Sequence, residues 1–132
     1  MKRIILIAVV VILAVSAFYL TAGRIPPYDL TISNMFETKR RIIRYAHIHN
    51  ELPKNLDSLP KLEGHANSVL DGWGRPIIYS VSDGQEIVFL KSFGESGDSI
   101  CKSSKPCIIR SFKTKTEKDE WVGELTGLLD AK

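Results

Sequence analysis

No acidic residue precedes Asp29, only two cysteines occur in 132 residues, and neither a P-loop nor a GxGxxG string is present. The missing phosphate-binding strings leave nucleotide binding without support. Charge of one sign is scarce as well. Lys and Arg total 18 against 15 Asp and Glu, and setting Lys2 and Arg3 aside leaves about +1 for the rest of the chain. The pI of 8.9 therefore overstates any basic surface. Recognition of nucleic acid needs basic residues concentrated on one face, so nucleic acid is not an expected partner. With the first 23 residues set aside, about 109 remain. That is one small domain, well below the roughly 200 residues of barrels and large hydrolase sheets.

What opens the chain is apolar. Lys2 and Arg3 precede a run from Ile4 to Leu20 in which Ser16 is the one polar residue, followed by Thr21, Ala22 and Gly23. As a helix this run would span about 30 Å, the thickness of a hydrocarbon core, and a membrane-spanning anchor over residues 1–23 is expected. Lys2 and Arg3 would stay inside, which sends the rest outward. The alternative is a signal peptide cut after Val15-Ser16-Ala17 or Leu20-Thr21-Ala22. Either way the domain is exported: single-pass in a bacterial inner membrane with its C-terminal part in the periplasm, or free in the periplasm after cleavage. Export also makes Cys101 and Cys107 interpretable. An even count in an oxidising compartment favours a disulfide between them.

Catalytic constellations fail on inspection. His47 and His49 are two apart, so on a helix they point about 200° from each other and cannot share a metal. Gly94-Glu95-Ser96-Gly97-Asp98-Ser99 has Asp98 where a nucleophile elbow needs glycine, and no strand-turn-helix context follows. Neither an enzyme nor a small-molecule substrate is expected.

Pro26-Pro27 forbids a continuous helix, so 24–30 reads as a linker and 31–132 as the folded domain. From about Asp29 to Asn50 the spacing of Ile32, Met35, Phe36, Ile42, Ile43 and Ala46 predicts a helix. Lys39, Arg40, Arg41 and Arg44 crowd its other side, either as a solvated face or as a surface for anionic lipid or a partner. Leu56 and Leu59 would pin a short turn to the core. Pro76 to Val81 and Glu86 to Ser92 flank Ser82-Asp83-Gly84-Gln85 and read as a hairpin, with a third strand at Cys107 to Phe112. Thr116 can cap a last amphipathic helix carrying Trp121, Leu125, Leu128 and Leu129. Between these elements stands Asp71-Gly72-Trp73-Gly74-Arg75-Pro76-Ile77-Ile78-Tyr79. Glycines on both sides of Trp73 allow the indole to fold into the core before Pro76 starts an outer strand.

At this string the chain resembles the C-terminal domain of the major pseudopilin, the G protein of type II secretion systems. The resemblance runs over residues 33–99 and rests on the helix with Tyr45 near its end, Leu52-Pro53 with Leu56 and Leu59, and the block holding Asp71, Gly72, Trp73, Gly74, Pro76 and Tyr79. The hairpin and Ser92-Phe93-Gly94 complete it. It implies an α+β pilin-like domain, a helix packed on a small antiparallel meander. It also implies a non-catalytic, structural role in a periplasmic secretion fibre, with secretion or pilus-type envelope proteins as partners. In that family the loop after the hairpin holds calcium, for which Glu95 and Asp98 are the acids here, fewer than the six to eight oxygens calcium wants. No other cofactor is implied. The family's Phe-Thr-Leu-x-Glu-like start is missing, and Pro26-Pro27 interrupts what the family has as one helix. Assembly into a fibre through the N-terminal segment is therefore not expected, and a stand-alone periplasmic binding module is the alternative.

Overall fold

Two prolines decide where the domain begins. In a computed structural model describing residues 2–21, 23–102, 104, 106–116 and 120–122, Pro26 is the extended residue before helix α2, Pro27–His49, and Pro27 is its first helical residue. The missing amide of a proline is harmless there, because the first helical amides have no partner within the helix. The helix thus starts inside the stretch expected to be linker. It ends where Asn50 turns left-handed, φ 55°, and donates its amide to Ala46 O.

The upstream helix α1, Lys2–Thr21, corrects an expectation. Among the described residues no helix is long and apolar enough to cross a membrane, so the expected transmembrane helix is withdrawn from the fold.

On α2 the apolar stripe is narrower than expected. Met35, Ile42, Ile43 and Ala46 are buried, whereas Phe36 is exposed, since a step of about 100° turns it away from Met35. Flanking the apolar stripe is a buried polar one, Thr31, Asn34, Thr38 and Arg41. Each of these bonds the irregular chain that follows the helix. Thr31 Oγ1 accepts from Gly72 N at 2.8 Å, and Asn34 Nδ2 donates to Leu70 O at 2.9 Å. Thr38 Oγ1 reaches Ser68 O at 3.5 Å. Arg41 donates to Pro60 O and Asn67 O, each at 2.9 Å, and to Leu59 O at 3.4 Å. A loop without ladder partners is held by helix side chains instead.

The sheet is an antiparallel meander ordered β1-β2-β3: Ile78–Val81, Ile87–Ser92 and Ile108–Lys113. Its inner face brings Val88, Leu90, Ile108 and Phe112 against Met35, Ile42 and Ile43, with Leu56 and Leu59 closing the core. The two leucines come from a short 3-10 turn, Leu56–Ser58, whose backbone amides at Asp57 and Ser58 are capped by Asn55 Oδ1. Tyr79 donates to Pro53 O at 2.9 Å, and burial pushes its hydroxyl up to about 12. In the hairpin, Gln85 N donates to Ser82 O and Gln85, not Gly84, takes the left-handed angle.

The expected C-terminal helix start is also corrected. Lys115 bridges Trp121 antiparallel, Thr116 N donates to Glu120 O, and Val122 N donates to Thr114 O. The chain doubles back because Val122 is buried in the core and Trp121 Nε1 finds Asn50 Oδ1 at 3.0 Å. Leu125, Leu128 and Leu129 lie outside the described residues.

Replacing Arg41 by alanine should cost about 3 kcal/mol, since the carbonyls of Leu59, Pro60 and Asn67 lose their donor. Arg44→Ala should stay within about 0.5 kcal/mol, its side chain being exposed. Urea denaturation of both variants separates the two, and equal costs would refute the assignment.

Candidate functional site

The string from Asp71 to Tyr79 is a joint built around one buried carboxylate. Leu70 bridges Pro76, and Ile77 N donates to Val69 O while Asp71 N donates to Arg75 O, so the chain reverses within a few residues. Asp71 lies inside that reversal, 4% exposed. Its Oδ1 accepts from Trp73 N at 3.0 Å and Arg75 N at 2.9 Å, and its Oδ2 from Ser92 Oγ at 2.7 Å. Arg75 Nε adds an ion pair to Oδ2 at 3.5 Å. Burial alone would raise the Asp71 carboxyl. The amides of Arg75 and Trp73, the Ser92 hydroxyl and the Arg75 charge outweigh it and hold the group below its ordinary 3.8.

The two glycines beside Trp73 serve different ends. Gly74 takes φ 80°, which turns the chain. Gly72 lies so close to the backbone of Pro27 that a Cβ would strike it, and this contact seats the joint on the first turn of α2. Trp73 departs from expectation. It packs on the core edge but is only partly buried, with the Arg75 guanidinium 5.7 Å from its ring. Pro76 does not open a strand; β1 begins at Ile78.

Arg75 extends the joint to the next loop. Its Nη2 donates to Gly94 O, its Nη1 lies against Gly97, and Gly94 N donates to Ser92 Oγ at 3.1 Å. This bears on calcium. Gly94 O, a carbonyl of the kind calcium would use, is taken by a guanidinium, and the cation already at Gly94 and Gly97 opposes a second one. Glu95 and Asp98 are both exposed. Among the described residues no group of three or more His, Cys, Asp or Glu could hold a metal ion. The residues do not fit the family's calcium loop.

A disulfide joins Cys101 to Cys107, with Cα atoms 5.2 Å apart. Its far side meets the same loop, since a Cβ at Gly94 would collide with Pro106 O. Between these pieces lies a cleft of about 730 Å³ walled by Tyr28, Trp73, Glu95, Pro106, Ile109 and Arg110. Its volume falls in the range of ligand pockets.

The expected basic face is not one surface. Arg41 is buried and burial pushes its pKa down, against the carboxylate of Glu37. Lys39 lies over the Phe112 ring at 5.0 Å, Arg40 is half-buried and Arg44 exposed. His47 donates through Nε2 to Val122 O at 3.0 Å, and His49 stacks on Tyr45 at 4.2 Å. Sequence reasoning missed Thr31 and Tyr28, and gave no role to Arg75 and Ser92, which entered only as members of the tryptophan string and of Ser92-Phe93-Gly94.

Two outcomes follow from the joint. A carboxyl with a depressed folded pKa lends stability that is whole above its unfolded value and lost as pH falls through the folded one. Asp71→Asn should therefore cost about 2 kcal/mol at neutral pH, and its deficit against the wild type should shrink below pH 3.8. A deficit constant from pH 7 to pH 2 would sink the assignment. Millimolar calcium should leave the melting temperature within about 1 °C, because a ligand stabilises only in proportion to its affinity; a rise of several degrees, abolished by Asp98→Ala, would contradict this.

Comparison with family models, with characterised proteins and with solved structures finds no match to this chain.

Proposed function

We propose that this chain is an exported, non-enzymatic envelope protein whose folded part is a pseudopilin-like scaffold, acting by contact with secretion or pilus-type envelope proteins. The observation that carries the reading is the use of the Asp71 to Tyr79 string. Asp71, Arg75 and Tyr79 spend their polar atoms on Trp73 N, Ser92 Oγ, Gly94 O and Pro53 O, which is joinery between helix, loop and sheet. The resemblance rests on the same string, and a helix over a three-stranded meander is the frame it implies. The disulfide supports an oxidising compartment.

A stand-alone periplasmic binding module is the second reading, favoured by the cleft beside Trp73. Photo-crosslinking in whole cells from exposed Ile100, followed by mass spectrometry, tests both. Recovery of components of a secretion or pilus-type assembly, with both cysteines resistant to alkylation until reduced, is the expected result. A single periplasmic partner outside any such assembly favours the module. Free thiols, or cytoplasmic partners alone, would overturn the proposal.

A further inference from the structure

The charged residues between Cys101 and Thr116 are Lys102, Lys105, Arg110, Lys113 and Lys115, with no acid among them. This stretch contains β3, the last strand of the sheet. One side of its backbone has no strand partner among the described residues, and a row of unpaired amides and carbonyls is a template for another strand. The cleft borders the start of β3, between the loop after β2 at Gly94 to Ser96 and the residues Pro106 to Arg110. Ile108 and Ile109 both line it, and successive strand residues point to opposite faces, so a space bordered by both passes around the backbone edge. Across from them stand Tyr28 and Trp73. Tyr28 and Ile109 are each 54% exposed, a large apolar surface left to solvent beside hydrogen-bonding backbone.

We infer that the β3 edge is a docking site for an extended acidic segment of another protein. The segment adds as a further strand beside β3, seats an apolar side chain between Tyr28, Trp73 and Ile109, and, its side chains alternating, sets carboxylates on the other face beside Arg110. Main-chain hydrogen bonds would give affinity and the aromatic cleft specificity, as in other cases of strand addition. Charge selects the occupant: the basic residues of β3 are Arg110 and Lys113 with no acid in the strand, and Glu95 is the one acid among the described residues that line the cleft. An anionic bilayer would meet the same charges, but a flat surface neither pairs strand amides nor enters a cleft. The inference rests on the reading of the chain as an interaction protein and names its partner's chemistry.

The test uses the full chain in mild detergent with three probes: a blocked Asp-Val-Asp-Leu-Asp-Val peptide, the same peptide with lysine for aspartate, and phosphatidylglycerol vesicles. The acidic peptide should bind at least about tenfold more tightly than the lysine one. It should protect alternate β3 amides from hydrogen exchange, and Arg110→Glu, at an exposed position, should narrow or reverse the preference at unchanged melting temperature. Equal binding of the two peptides, binding without β3 protection, or binding of vesicles alone would each overturn the site. Failure here leaves the crosslinking result standing. Loss of the envelope partners with peptide binding intact removes the secretion context and keeps the site.

Discussion

The chain between Leu59 and Ile77 belongs to no sheet, yet it runs along the helix where water cannot reach all of its backbone. Those of its amides and carbonyls that its own turns leave unpaired must find side chains, and that requirement organises the domain. Asp71 takes two amides and a hydroxyl, Arg41 donates to three carbonyls, and Asn67 closes its own turn on Leu62 at 2.7 Å and 2.8 Å. Remove these and the core still has its apolar stripe, but the loop that roofs one side of α2 has nowhere to put its polar atoms. The cost of an orphaned buried group exceeds the net gain of making one bond, so these few residues constrain the fold more than any single leucine.

Two guanidinium groups carry this division of labour. Arg41 holds the roof of the helix, and Arg75 ties the tryptophan turn to the loop after β2. Both are unlike lysine in kind: a planar fork can donate to several carbonyls at once, which an ammonium on a flexible stem does less well. The second tie also leaves the Gly94 to Gly97 loop with a fixed cation of its own, while the disulfide braces the chain that returns toward β3.

How much of this could be read beforehand follows from what each signal measures. The hairpin was legible because two β-branched runs flank Asp83-Gly84, and the 3-10 turn because Leu56 and Leu59 punctuate a proline-bounded stretch. Those are local patterns. Arg41 was not legible, since a charge run says nothing about which member turns inward; only the fold brings Leu59, Pro60 and Asn67 within its reach. Phe36 misled for the opposite reason, as hydrophobicity placed it on a face that helical geometry turns from the sheet. Near Trp121 the expected start of a helix gave way to the contacts of Trp121 with Asn50 and of Val122 with the core. Of the site, the tryptophan string was visible as a packing device, while Ser92 and Thr31, the hydroxyls that complete it, look like any others. The cleft depends on which strand became an edge, and that is a property of topology.

Gly72 against Pro27 has a mechanical side. The contact sits at the point where the chain enters α2, with Thr31 Oγ1 bonded both to Pro27 O and to Gly72 N. Tension applied from the N-terminal side would therefore not peel the helix open from a free end. It would load the tryptophan turn first, and through Asp71 and Ser92 pass into the central strand β2. The strand bonds of an antiparallel sheet, together with a close-packed glycine contact, would share that load before the helix could begin to unwind.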